Sequence, residues 1–302
     1  MIYDILYRQS LARAKNKAWI FSDLQQRDPA KARECMEVGM ADFAAMGSPA
    51  DCIWYLGDAV EGKDLSHLFD MARMQETALE KTGLPVYFVL GNHDVEIAFA
   101  RTAEWKMPFY EAVKRHENWR TVPSLSDWYF KVPFAGHTVY FLSDHLAPDR
   151  SWIYYQGQVR GDYPYFDRAE KLRKEIASEK CPVITCSHYS YFGGNRASEM
   201  QSRLLPLPEN VKIHFYGHAH ISDYRWAREN ACRRVSWVDW HDIPQINVSS
   251  FEHFRGSVCR SVFLHIYEDN SYGVFFRDHD RRAFTEAYFP ASFRYPSKAE
   301  SL

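Results

Sequence analysis

The side chains able to do chemistry in this sequence fall at the ends of short apolar runs. Asp23 and Gln25 follow residues 18–22 (AWIFS), Asp58 follows residues 52–56 (CIWYL), and Asn92 and His93 follow residues 85–90 (PVYFVL). Farther along, His188 follows residues 182–187, and His218 and His220 follow residues 211–216. Each run is rich in β-branched and aromatic residues, as strands are. In open α/β sheets the carboxyl ends of the strands form the ligand crevice. Carboxylates, amide oxygens and imidazoles collected on one such edge are donors for divalent cations.

The segments between these runs supply the scaffold. Residues 29–46 read as a helix with Pro29 in its first turn, and residues 64–81 as a second helix closed by Gly83. Strands alternating with helices indicate β-α-β units and a mostly parallel sheet. Such a sheet is covered on both faces, which explains continuously apolar strands. Residues 128–132 and 138–143 form a predicted hairpin through Ala135-Gly136. A helix over 166–178 and strands over 182–187, 211–216, 245–248, 262–267 and 272–277 complete the pattern, with Asn270 at a turn. The chain reads as a single domain over 1–302. Its appendages are an N-terminal arm (1–16), a loop insertion over the active site (144–165) and a C-terminal tail (283–302).

Read in order, the polar blocks are Asp23-Leu24-Gln25, Gly57-Asp58, Gly91-Asn92-His93-Asp94, His188 and Gly217-His218-Ala219-His220. This ordered set resembles the calcineurin-like metallophosphoesterases, whose blocks run D-x-H, G-D, G-N-H-[DE], H and G-H-x-H. The resemblance implies an α/β fold, a four-layer α/β/β/α sandwich with two facing mixed sheets. It also implies a metal-dependent phosphoric ester hydrolase with two divalent metal ions. Asp23, Gln25 and His220 would hold one ion, Asn92, His188 and His218 the other, and Asp58 both. A metal-bridging hydroxide would attack phosphorus in line with the leaving oxygen, since a cation acidifies its bound water and a positive site steadies the developing charge. His93 would stabilise phosphoryl oxygens or protonate the leaving oxygen, with Asp94 or Glu61 orienting it.

Gln25 departs from the pattern, which has His there. Oxygen-rich sites suit Mn²⁺ or Mg²⁺ better than Zn²⁺, so Mn²⁺ is the expected ion, with Fe, Zn and Mg as alternatives. The D-x-Q variant is similar to the Mn²⁺-dependent ADP-ribose/CDP-alcohol diphosphatases, and implies a small phosphodiester or nucleoside diphosphate derivative as substrate. The alternatives are a phosphomonoesterase on the same site and a non-catalytic scaffold of the same fold. The protein serine/threonine phosphatase branch fits less well. Its phosphate-gripping arginines are missing from GDAVEGK and GNHDVEI, and Lys63 is no bidentate substitute.

Tyr189, Tyr191, Asn195 and Arg196 follow His188, and Arg160 lies in the insertion; these are the expected substrate contacts, by base stacking and by phosphate pairing. The chain has 302 residues with 37 Lys and Arg against 39 Asp and Glu, a net charge of −2. That balance supplies no electrostatic footprint for a nucleic-acid polymer or a membrane surface. No apolar run approaches the roughly 18 residues of a membrane span. The six cysteines form no C-x-x-C pair, which favours reduced thiols and a cytoplasmic location.

Overall fold

The computed structural model describes residues 2–26, 28–61, 65–95, 107–124, 127–143, 153–155, 158–160, 165–191, 206–220, 236–253 and 257–290. Helix α1 (Ile2–Leu11) precedes β1 (Asn16–Phe21), α2 (Pro29–Ala45), β2 (Cys52–Tyr55), α3 (Leu65–Glu80), β3 (Val86–Phe88) and α4 (Pro108–Arg115). A hairpin of β4 (Tyr129–Phe134) and β5 (His137–Leu142) follows, then the pair β6 (Ile153–Tyr155) and β7 (Gln158–Arg160), α5 (Tyr165–Ser178), β8 (Val183–Ser187) and β9 (Val211–Tyr216). The chain closes with β10 (Trp237–Trp240), β11 (Ile243–Asn247), β12 (Arg260–Ile266), β13 (Tyr272–Asp278) and β14 (Ala283–Tyr288).

Two mixed six-stranded sheets result, ordered β14-β13-β12-β1-β2-β3 and β10-β11-β9-β8-β5-β4. In the first, β1, β2 and β3 run parallel; in the second, β5, β8, β9 and β11 do. Strand alternation assigns each side chain to a layer. Ala18, Ile20 and Trp54 point into the core between the sheets, with Phe141, Phe215, Ile246 and Leu264. Their neighbours Trp19, Phe21, Ile53 and Tyr55 pack under the helices α1 to α4. On the far side Tyr140, Leu142 and Val183 pack with Leu172 and Ile176 of α5. Helices, sheet, sheet and helix make the expected four layers.

Local chemistry explains the element ends. Asp28 caps α2, its carboxylate accepting the Ala30 N–H at 3.0 Å, with Pro29 in the first turn. Ala135 (φ 53°) and Gly136 (φ 79°) are both left-handed, as a tight two-residue hairpin turn requires. Several regions differ from the sequence reading, strand β10 among them, which it did not anticipate. The N-terminal arm is α1, seated by the buried Tyr7, whose ring stacks on Phe284 at 3.9 Å. The predicted tail begins with the edge strand β14. Helix α4, which the apolar pattern did not suggest, packs Phe109, Tyr110 and Val113 inward. Of the 144–165 insertion, the described part is the β6-β7 pair and the start of α5.

Cys35, Cys52, Cys181, Cys186 and Cys259 are free thiols. Among the described residues no helix is long and apolar enough to cross a membrane.

Candidate metal centre

The carboxyl ends of β1, β2, β3, β8 and β9 meet at one edge of the sandwich. The loops beyond them are drawn together by backbone bonds: the Asp23 N–H donates to the Gly57 carbonyl at 3.0 Å, and Leu24 N–H to the Asp58 carbonyl at 3.1 Å. Asp23, Asp58 and His218 all adopt left-handed backbone, with φ of 59°, 54° and 60°. Such conformations are unfavourable for residues with a Cβ and gather at functional sites. Two glycines permit the close approach. A Cβ at Gly91 would sit 2.2 Å from Asp58 Oδ1, and one at Gly217 would sit 2.0 Å from Ser22 Oγ.

On one side of the cluster, His188 Nε2 lies 3.1 Å from Asp58 Oδ2 and 3.2 Å from Asn92 Oδ1. Its Nδ1 is 2.7 Å from the Leu56 carbonyl. A proton on Nδ1 donated to that carbonyl leaves the Nε2 lone pair facing Asp58, the tautomer a metal ligand needs. Ligand atoms of Asp58, His188 and His218 lie within 4.8 Å of one another. On the other side, His220 Nε2 is 3.0 Å from Asp23 Oδ1, while Asp23 Oδ2 accepts the His218 N–H at 2.8 Å. Asp58 Oδ1 accepts the His93 N–H at 2.7 Å. Gln25 is buried, and its Oε1 has no hydrogen-bond partner among the described residues.

The electrostatics of this cluster call for positive charge. Burial opposes protonation of His188, yet the carboxylates of Asp58 and Asp23 outweigh it and push the group up to about 9. His220, opposed by burial but facing Asp23 and Glu252, is pushed up to about 10. Burial works against an ionised Asp58, but His188 and His93 hold its carboxyl well below the usual range. Two buried carboxylates, a buried amide oxygen without a partner and three imidazoles fit a divalent cation site.

The remaining expected site residues separate into groups. His93 has its Nδ1 3.6 Å from Glu61 Oε2, with about a quarter of its side chain exposed (26%). Asp94 is spent on the backbone: it accepts N–H bonds from Asp58 at 2.9 Å, Ala59 at 3.0 Å and Gly91 at 2.8 Å. It thereby ties the second and third motif loops together, and burial with the charge of Asp58 pushes it up to about 7. Between Asp94 and Glu61, it is Glu61 that lies beside the His93 ring. Tyr189 and Tyr191, expected to present rings to a substrate, are buried instead. The Tyr189 hydroxyl donates to Asn92 Oδ1 at 3.1 Å, and its ring lies 4.5 Å from that of His218. Tyr191 packs on His214, with ring centroids 4.0 Å apart. Asn195, Arg196 and the Arg160 side chain lie outside the described residues.

Two residues of this region escaped the sequence reading. His214, on β9, lies 3.1 Å through Nε2 from the Tyr189 carbonyl and so steadies the His188 loop. Glu252 lies 3.1 Å from His220 Nδ1. The rule that found the other donors would have found Glu252 too, because it follows the strand β11 by five residues.

A family model for calcineurin-like phosphoesterase matches residues 17–222. No curated protein matches the chain by sequence. Among solved structures, the chain is similar to purple acid phosphatase from yellow lupin (Lupinus luteus) seeds, with 13% identity and a TM-score of 0.54, covering 90% of this chain and 53% of that one. It is similar also to an NAD nucleotidase from Haemophilus influenzae, with 10% identity and a TM-score of 0.50, covering 90% and 49%. The chain therefore spans about half the length of these two structures, and at such identities they show the shared fold. With the ordered motif blocks on converging loops and more than half of its residues matched, the chain belongs to the calcineurin-like phosphoesterases, a family of metal-using hydrolases.

Proposed function

We propose that this chain hydrolyses a small phosphodiester or a nucleoside diphosphate derivative using two divalent cations, with Mn²⁺ preferred. The observation that carries the reading is the Asp58 carboxylate, whose oxygens lie toward His188 on one side and toward the His93 backbone on the other. Asp58 would be shared between Asp23, Gln25 and His220 on one hand and Asn92, His188 and His218 on the other. Bound there, two cations would polarise the phosphoryl group and acidify the attacking water.

The chain's own residues do the rest. The Leu56 carbonyl orients His188, and the Tyr189 hydroxyl holds Asn92 Oδ1. The His93 main chain is fixed to Asp58, so its partly exposed ring stands beside the reacting centre. From there it can steady a phosphoryl oxygen or give a proton to the leaving oxygen, and Glu61 is placed to hold the protonated ring. The amide of Gln25 supports Mn²⁺ because it replaces an imidazole with a harder oxygen donor. The fold shared with an NAD nucleotidase is in keeping with a nucleotide substrate.

Rates on bis-p-nitrophenyl phosphate and p-nitrophenyl phosphate, before and after chelation and with Mn²⁺ restored, test the proposal. Faster metal-dependent turnover of the diester supports it. Preference for the monoester replaces it with a phosphomonoesterase. Metal analysis finding no bound or titratable metal points to a scaffold instead. Gln25→His is expected to shift preference toward softer cations, and unchanged selectivity would remove Gln25 as its determinant.

A further inference from the structure

We infer that Glu252 is a positioning residue that fixes the tautomer of His220, and so sets how tightly the cation held by Asp23, Gln25 and His220 binds; this rests on the dinuclear reading above. His220 has a carboxylate beside each ring nitrogen, with Nε2 3.0 Å from Asp23 Oδ1 and Nδ1 3.1 Å from Glu252 Oε1. A proton on Nδ1, the nitrogen beside the Glu252 carboxylate, leaves the Nε2 lone pair on the Asp23 side, where a cation would need it. A carboxylate behind an imidazole also makes it a stronger donor. Glu252 is 0% exposed, and a buried carboxylate acts through a low dielectric on its neighbour.

The position of Glu252 is set by rigid neighbours. The adjacent Phe251 donates its N–H to the Ser22 carbonyl at 2.8 Å, one residue before Asp23. The Phe251 ring packs against Phe21, with centroids 4.8 Å apart. It also lies so close to α2 that a Cβ at Gly39 would sit 1.9 Å from its Cζ. The Ser257 hydroxyl donates to the Glu252 carbonyl at 3.0 Å. Glu252 and Asp23 are thus fixed to the same piece of backbone.

The two halves of the centre differ in this respect. His188 directs Nδ1 at a neutral carbonyl, that of Leu56, whereas the Nδ1 of His220 lies beside a carboxylate. The half with the charged partner is also the half in which an amide, Gln25, stands where the family pattern has an imidazole. A buried negative charge behind His220 compensates for that weaker donor.

Mn²⁺ titration of the full chain tests this, reading free Mn²⁺ and the spin-coupled pair signal by electron paramagnetic resonance. In wild type, two Mn²⁺ bind and the coupled signal forms. In Glu252→Gln, one of the two affinities is expected to fall by roughly 10–100-fold with the other unchanged. The coupled signal then gives way to a mononuclear one at limiting metal. Glu252→Asp keeps the charge and is expected to weaken the same site by a smaller factor, and it serves as the readout if the amide variant does not fold. Unchanged affinities in both variants, or equal weakening at both sites, overturn the inference while leaving the dinuclear reading intact. Wild type that binds no Mn²⁺, or a single ion, overturns the dinuclear reading itself and the inference with it.

Discussion

Two clusters in this molecule pair buried aspartate with buried histidine, and they have opposite characters. At the sheet edge, Asp58 faces His188 at 3.1 Å and Asp23 faces His220 at 3.0 Å. Behind the first sheet, Asp42 of α2 faces His279 at 2.8 Å. In this second cluster the chain supplies its own cation: the Arg277 guanidinium donates twice to Asp42, at 2.8 Å each. His279 Nε2 lies 2.7 Å from Ser261 Oγ, which also accepts the Trp19 indole N–H at 2.7 Å. Hydroxyl, imidazole and carboxylate stand in the order of a hydrolytic triad, yet all three are buried and the hydroxyl is shared with an indole. It is an internal truss. At the edge, by contrast, no arginine or lysine pairs with Asp23 or Asp58 among the described residues. The lesson is that pairing distance does not mark a site. Charge left for something else to balance, on backbone held in unfavourable conformations, does.

The sharpest way to break the comparison is to remove the shared carboxylate from each cluster. Asp58→Asn is expected to release both cations and drop hydrolysis to the uncatalysed background, read by metal analysis and turnover. A variant that keeps both metals and its rate would show that Asp58 is not shared. Next in size, His93→Ala is expected to lower turnover by roughly two to four powers of ten with metal content unchanged. Metal loss there would make His93 a ligand and not a proton donor or phosphate contact.

Asp42→Ala reverses the pattern. Removing Asp42 leaves the buried Arg277 with the longer 3.5 Å contact to Asp4 in place of its paired hydrogen bonds, which costs up to about 3–5 kcal/mol of stability. Denaturant unfolding should show that loss, while kcat of the folded fraction stays at its wild-type value. A drop in kcat with unchanged stability would mean that the truss reaches the site.

The sequence made the metal centre legible because its donors are local signals: each stands within a few residues of a strand end, and the ordered blocks carry a family pattern. The truss was not legible for the opposite reason. Asp278-His279-Asp280 lies among Arg277, Arg281 and Arg282 and reads as a solvated turn. The structure buries Arg277, Asp278 and His279, because Arg277 finds Asp42 235 residues away. Asp42 itself reads as an ordinary helix carboxylate. Tyr189 and Tyr191 misled in a related way: a tyrosine beside a ligand suits stacking on substrate or steadying the ligand, and burial alone decides between them. Helix α4 and strand β14, of eight and six residues, pack on α3 and on α1 and β13; α4 is amphipathic, but both are so short that a pattern has few positions in which to repeat.

The smallest expected effect concerns acid stability, which the scaffold histidines should govern before the truss does. His265 on β12 lies under α1, with Ser10 Oγ 2.6 Å from Nδ1 and the Tyr7 ring 4.9 Å from its own. Burial pushes His265 down from 6.5 to about 3, and His214 likewise to about 3. A histidine held neutral by folding binds fewer protons in the native state than in the unfolded chain. Its contribution to stability is therefore full above the unfolded value of 6.5 and is lost as pH falls toward about 3. Asp42 acts later: burial alone would raise it, but Arg277 and His279 hold it at about 2 against 3.8, so its contribution begins to fail only below that upper value. Between about pH 6 and pH 4 His265 and His214 each contribute a slope approaching about 1.4 kcal/mol per pH unit; His137 and His279, also pushed down by burial, act in the same direction, and Asp94, pushed up to about 7, acts against them. His265→Gln should remove one proton's worth of that slope down to about pH 3 while leaving the slope below about pH 3 as it was. Unfolding free energies measured across both windows check this, and a variant whose upper-window slope matches wild type would show that His265 does not hold the acid limb of stability.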